Sequence, residues 1–176
     1  MLPHVALTGK ARAGKDTAGR WLVERLGYHR VAFADGVREV ALAIDPYVFG
    51  KLRLSAFVAT YGWELAKEEP EVRRLLQVIG TEAGRNVFGE HVWVDLALRR
   101  APTGVPLVFT DVRFPSEAEA VRRLGAVVVR IERAGDHASE TALDGYPVDA
   151  VIRNDGTVDD LCEAVGAVAR STTHTP

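Results

Sequence analysis

The stretch Gly9-Lys10-Ala11-Arg12-Ala13-Gly14-Lys15-Asp16-Thr17 has the residue types and the spacing to hold a phosphate. Its form is G-x-x-x-x-G-K. Glycines let backbone N–H groups curl around phosphate oxygens, and the lysine reaches the outer ones. Composition alone predicts roughly 0.03 such matches in the chain, so the pattern is informative before its context is read. His4-Val5-Ala6-Leu7-Thr8 before it reads as a buried strand, and Ala18, Trp21, Leu22 and Leu26 behind it recur at helical spacing. Strand, glycine loop and helix together make an anion site, because the helix N-terminus adds partial positive charge. Such loops usually carry Ser or Thr directly after the lysine to hold Mg2+. Here Asp16 stands there and Thr17 follows. The carboxylate either takes part in metal binding or serves as an acidic residue of the first helical turn.

Other stretches carry complementary groups. Pro106-Leu107-Val108-Phe109-Thr110 reads as a buried strand running into Asp111-Val112-Arg113. A carboxylate at the carboxyl end of such a strand either organises Mg2+ or caps a turn, and ligands of open α/β sheets bind at that end. The spacing predicts a helix over 71–85, with Val72, Leu75, Leu76, Ile79 and Ala83 as its core stripe. Arg74, Gln77, Thr81 and Arg85 then share the opposite side, as a phosphomonoester site or as a solvated face. Gly80 and Gly84 permit close approach of another group. A strand over 126–131 carries Arg130 near its carboxyl end. The polar run 132–147, with Arg133, His137, Glu140 and Asp144, is a candidate lid. His137 there is either a proton carrier or a solvent-facing side chain.

The elements that must position these groups alternate. A second buried strand is expected at Val31-Ala32-Phe33-Ala34, followed by a helix opening at Asp35-Gly36 and stopped by Asp45-Pro46. Ser55 to Glu68 reads as helical, and Pro70 starts the next helix. Val92 to Leu98 reads as a buried helix. Ser116 with Glu119 forms a capping box. Val148 to Arg153 reads as the last strand, and Thr157 with Asp160 caps a final helix bearing Leu161, Ala164, Val165 and Val168. The pattern predicts an α/β fold with a parallel sheet covered on both faces.

At 176 residues, 47% apolar and 26% charged, the chain suits one globular domain. A net charge of −2 excludes the global basic field expected of a nucleic-acid-polymer binder. The 18 arginines against 4 lysines suit phosphate oxygens, although a GC-rich genome gives the same bias. Cys162, alone, excludes a disulfide framework and a thiolate metal cluster. No leader or membrane-length apolar run is visible, so a cytoplasmic protein is expected. Residues 171–176 read as a flexible tail.

A phosphate loop, a strand-end Asp, scattered arginines and a lid-like run point to phosphoryl transfer from a nucleoside triphosphate, which depends on positioning and charge neutralisation. The chain resembles the deoxynucleoside monophosphate kinases of bacteriophages, within the P-loop nucleoside monophosphate kinase superfamily. The resemblance is carried by Gly9 to Thr17, Phe33-Ala34-Asp35, Leu75 to Arg85 with Trp93-Val94, Asp111-Val112-Arg113-Phe114, His137-Ala138-Ser139-Glu140 and Asn154-Asp155-Gly156-Thr157. Asp16, odd for phosphate loops in general, is similar to this family and to animal-type phosphomevalonate kinase.

The resemblance implies a three-layer P-loop kinase fold over 1–170, with a helical acceptor-binding region at 35–100 and a lid at 132–148. It implies ATP and Mg2+, small nucleotides as the only partners, no membrane, and the cytoplasm (the host's, if the gene is a phage's). A homodimer is left open. Lys15 and the loop residues Gly9 to Thr17 would bind ATP phosphates, with Asp16 and Asp111 as metal candidates. Asn154, Gly156 and Thr157 would border the adenine. Asp35, Arg38, Arg74, Gln77, Thr81, Arg85 and Arg113 would line the acceptor pocket, with Trp63 or Tyr61 against the base. Arg130 and Arg133 would face the transferring phosphoryl group. Rival readings are a kinase of phosphomevalonate or dephospho-coenzyme A, a P-loop ATPase subunit, and a nucleotide-binding regulatory module without transfer activity.

Overall fold

The computed structural model describes residues 2–133 and 143–171. They fall into two compact units, Met1–Ala32 with Arg100–Pro176, and Phe33–Arg99. The elements follow one another as β1 (Val5–Thr8), α1 (Lys15–Leu26), β2 (His29–Val31), α2 (Ala34–Ile44), β3 (Tyr47–Val48), β4 (Leu52–Arg53), α3 (Leu54–Ala66) and α4 (Pro70–Gln77). A π-helical segment, Val78–Arg85, continues α4 and leads into α5 (Asn86–Phe88) and α6 (Val92–Arg100). β5 (Leu107–Phe109), α7 (Pro115–Arg123), β6 (Val127–Glu132), β7 (Ala150–Arg153) and α8 (Val158–Ser171) complete the chain.

The first unit holds a five-stranded parallel sheet in the order β2-β5-β1-β6-β7. β1 to β2 steps toward one edge and β5 to β6 steps toward the other. Right-handed crossovers therefore place α1 and α7 on opposite faces. On one face Val5, Leu7, Val108, Val127, Val129 and Ile131 pack with Leu22 of α1 and with Leu161, Val165 and Ala169 of α8. On the other, Ala6, Phe109 and Val128 are as deeply buried, with Ala118 and Val121 of α7. Strands covered on both faces read as unbroken apolar runs, as β1, β5 and β6 do. Gly19 of α1 is what allows that helix onto the sheet, since a Cβ there would sit 2.6 Å from Thr110 Cγ2. The α/β parallel-sheet architecture read from the sequence is the one found.

β2 begins two residues earlier than its apolar residues suggest, at His29, and Phe33 already precedes α2. β2 is an edge strand with His29 and Arg30 exposed, so its residues need not be apolar.

In the second unit, α3 is interrupted at Gly62, whose φ of 74° and ψ of 165° are not helical. A short antiparallel hairpin, β3–β4, precedes it. The expected helix over 71–85 changes register halfway. The Asn86 N–H reaches the Thr81 carbonyl, five residues back, the bond that defines π geometry. Ala83, expected in the core stripe, is exposed, and Gly84, five residues after buried Ile79, is buried instead.

Candidate functional site

β1 ends at Thr8 and the chain turns through Gly9 to Gly14 before α1 begins at Lys15. Gly9 and Gly14 have φ of 132° and 111°, a region closed to most side chains. Space closes it too. A Cβ on Gly9 would run into the Ile131 carbonyl oxygen, and one on Gly14 would lie 2.7 Å from Asn154 Nδ2 and 2.8 Å from Leu161 Cδ2. Arg12 also takes a left-handed conformation, at φ 64°. Lys15 Nζ donates to the Gly9 carbonyl at 2.7 Å and the Lys10 carbonyl at 2.5 Å. The ammonium is thus tied to two carbonyls of its own loop. Asp16 is exposed on the first turn of α1, where its charge suits the helix N-terminus, and Thr17 beside it is half-buried.

The carboxyl ends of β1, β5, β6 and β7 carry the other candidates of this unit. β1 and β5 are neighbours with Ala6 opposite Phe109. Extending that register sets Asp111 level with Thr8, one residue before the loop. Asp111 is half-buried and Arg113 exposed. Among the described residues no group of three or more His, Cys, Asp or Glu comes together to hold a metal ion. Asp111 stands at the carboxyl end of β5 and Asp16 on the first turn of α1, and a Mg2+ site commonly uses only one or two carboxylates beside substrate phosphates and water.

The turn between Asp111 and α7 is governed by Glu117, only 3% exposed. Its Oε2 accepts the backbone N–H of Arg113 at 2.7 Å and of Phe114 at 3.1 Å. This carboxylate, not that of Glu119, caps α7, because the helix starts at Pro115 and Glu117 is its third residue. The signal was present in the sequence as a proline at the first helical position.

Arg130, opposite Thr8 in the sheet, turns its guanidinium to the carbonyls of Leu143 and Tyr146, each at 2.9 Å. Arg122 binds Asp149 at 3.0 Å and the Pro147 carbonyl at 2.9 Å, and Asp149 Oδ2 accepts Val128 N–H at 2.7 Å. Together these fasten 143–149 to β6 and α7; the sequence reading had no role for Arg122 or Asp149. Arg133 is exposed just past the end of β6. The expected lid falls largely on 134–142, and those residues, His137 and Glu140 included, lie outside the described residues.

After β7, Asn154 donates its side-chain amide to the Ala13 carbonyl at 2.8 Å. Its backbone N–H bonds the Glu132 carbonyl at 2.7 Å. Gly156 is exposed in the turn that follows. Thr157 caps α8 as expected: Asp160 Oδ2 accepts its N–H at 2.8 Å and its hydroxyl at 2.7 Å. Those bonds hold the Asp160 carboxyl below its usual range. Burial, aided by the Asp159 charge, pushes the Cys162 thiol up, as expected of a packing residue rather than a nucleophile.

The Phe33–Arg99 unit holds the acceptor candidates. Asp35 and Arg38, one turn apart on α2, pair at 3.2 Å, and the Arg38 guanidinium lies 5.6 Å from the centroid of the Trp63 ring, within reach of a cation–π contact. Tyr61 instead packs on Phe57, 4.9 Å between centroids. Arg74 pairs with Glu82 at 3.0 Å on an open surface. Arg74, Gln77 and Thr81 are exposed and Arg85 is half-buried. The single stripe expected of these four is not what forms. Wider π turns rotate each residue less than an α-helix does, so Arg85 falls well short of the position an α-helix would give it.

No helix among the described residues is long and apolar enough to cross a membrane. Residues 55–165 match the family model described as deoxynucleotide monophosphate kinase. The chain is similar to a protein of Acanthamoeba polyphaga mimivirus named as a putative deoxynucleotide monophosphate kinase. The two are 28% identical over 184 residues, which covers 89% of this chain and 91% of the relative. Shorter matches are to the deoxynucleotide monophosphate kinases of Escherichia phage RB69 (30% identical over 56% of this chain and 45% of the relative) and Enterobacteria phage T4 (32% over 54% and 44%). The chain thus aligns with less than half the length of these two phage enzymes. The family match covers more than half the chain and takes in the π-helical segment, Asp111 to Arg113 and the cap of α8: this chain belongs to the deoxynucleotide monophosphate kinase family.

Proposed function

We propose that the protein transfers the γ-phosphoryl group of ATP to a deoxynucleoside 5′-monophosphate, giving ADP and the deoxynucleoside diphosphate. The observation that carries this reading is the loop Gly9–Thr17 with Lys15 drawn across it. This loop lies outside the 55–165 stretch that matches the family, so two separate parts of the chain support one activity. In the reaction an oxygen of the acceptor phosphate bonds to the γ-phosphorus as the bond to the β–γ bridging oxygen breaks.

Lys15 exchanges its bonds to the Gly9 and Lys10 carbonyls for the β and γ phosphate oxygens, while the loop N–H groups and the N-terminus of α1 hold the same charge. Lys10 and Arg12 add positive charge to the loop. Asp16 and Asp111 would hold a divalent ion, which would supply charge neutralisation for the triphosphate. Arg113, aimed by the backbone grip of Glu117, takes the acceptor phosphate. Arg38 and Asp35 with Trp63 take the acceptor nucleoside, and Arg85 a further phosphate oxygen. Arg133 serves the transferring group.

ADP formation from ATP should depend on an added deoxynucleoside monophosphate. Lys15→Ala should lower that turnover by about three orders of magnitude or more without loss of fold. ADP formation at an equal rate with no monophosphate present would instead identify an ATPase, and near-normal turnover by Lys15→Ala would remove the loop from the mechanism.

A further inference from the structure

Trp93 of α6 is buried in the Phe33–Arg99 unit, and its indole N–H donates to the Gly80 carbonyl at 2.8 Å. In an α-helix that carbonyl belongs to the N–H of residue 84. The π register hands it on to residue 85, and the indole supplies a second donor to the same oxygen. The ring then occupies the space where a side chain at 84 would be: a Cβ on Gly84 would lie 2.6 Å from Trp93 Cζ2, 2.8 Å from Nε1 and 2.7 Å from the Ile79 carbonyl. The other end of the ring meets a second glycine. A Cβ on Gly36 of α2 would lie 3.1 Å from Trp93 Cε3 and 3.3 Å from Cζ3.

One indole is therefore seated between two glycines. Gly36 sits between Asp35 and Arg38 on α2, and Gly84 immediately precedes Arg85. We infer that Trp93 is a positioning residue for the acceptor. It wedges the α4 continuation into π geometry, turns Arg85 inward and fixes that arginine relative to Asp35 and Arg38. The inference rests on the kinase reading of the same residues, and it extends that reading to a side chain with no substrate contact of its own.

Trp93→Phe keeps most of the ring and removes the donor. It should raise the KM for the monophosphate about tenfold, with kcat within about threefold and the KM for ATP unchanged. Amide exchange of 84–86, measured without nucleotide, should quicken about tenfold as the π turn loosens. Gly84→Ala, which pushes a methyl group against the indole, should show the same pattern by a separate route. A folded Trp93→Phe with unaltered monophosphate KM would overturn the inference and leave the kinase reading intact. Unfolding of both variants would overturn it as well, by reducing Trp93 to a core residue. A wild-type protein that forms no ADP with any monophosphate would overturn the kinase reading, and unchanged exchange at 84–86 in Trp93→Phe would separately overturn the wedge.

Discussion

Asn154 holds Ala13: its side-chain amide reaches the Ala13 carbonyl, 2.8 Å away and 141 residues earlier in the chain. A loop that must present N–H groups to a phosphate has its carbonyls facing outward, and this bond fixes one of them. Gly14 has to be glycine partly because the Asn154 side chain is there. The contact couples the turn after β7 to the phosphate loop, whatever else the turn touches.

Asn154→Ala should therefore weaken nucleotide binding about tenfold, the effect of one hydrogen bond lost from a preorganised loop. The base tells this role from an adenine contact. If the side chain acts through the loop, inhibition by ADP and by GDP weakens by the same factor. Weakening confined to ADP would put the Asn154 amide on the adenine instead.

Arg113→Ala should raise the KM for the monophosphate at least tenfold while the KM for ATP moves little. The reverse split would move Arg113 to the donor side. Glu117→Gln keeps an acceptor oxygen but drops the charge that grips the Arg113 and Phe114 N–H groups. It should raise the same KM by a smaller factor, about threefold, and lower stability by about 1–2 kcal/mol. A stability loss with kinetics unchanged would make Glu117 a helix cap alone.

The parallel sheet and the loop were legible because their signals are local: an apolar run, two glycines, a lysine, a helical period. The π segment was not. Its cause is Trp93, 13 residues beyond the Gly80 carbonyl it bonds, and no period read along 71–85 contains that residue. The β3–β4 hairpin escaped for another reason. Its three-residue loop, Phe49 to Lys51, opens with Phe49 and Gly50 at φ 54° and 68°, a region that favours Gly or Asn, and a phenylalanine there gives no turn signal. Its N–H is instead held from outside the hairpin, by Glu71 Oε2 at 2.8 Å. The edge strand β2 was misplaced because its exposed residues carry no apolar mark. Glu117 is readable from Pro115 at the first helical position, while the Ser116–Glu119 spacing imitates the same capping signal two residues further on.

Arg130 was expected near the transferring phosphoryl group, and its guanidinium spans two carbonyls of 143–146. Arg130→Ala should destabilise the fold by about 1–3 kcal/mol, the range for charge-assisted bonds in a partly buried setting. The measurement is the urea midpoint with and without saturating ATP. An equal loss in both marks a structural clamp. A loss of turnover with the midpoint unmoved would return Arg130 to the phosphoryl group.

His4 offers a test by pH. Its Nδ1 accepts the Leu107 N–H at 2.9 Å, so it acts as an acceptor where β1 meets the start of β5, and only the form unprotonated at Nδ1 can do so. Burial lowers its pKa from the usual 6.5. Between the folded value and 6.5 the unfolded chain binds the proton and the folded chain does not, so stability rises with pH across that window. The contribution is fully present above 6.5 and is lost as pH falls through the lowered folded value. His4→Ala should cost about 1 kcal/mol at pH 7.5 by removing the acceptor. The gap between variant and wild type should narrow at pH 5, where the unfolded wild-type chain takes up a proton that the folded chain resists. Urea unfolding of both proteins at the two pH values decides it, and a gap of constant size would mean that folding leaves the His4 pKa unshifted.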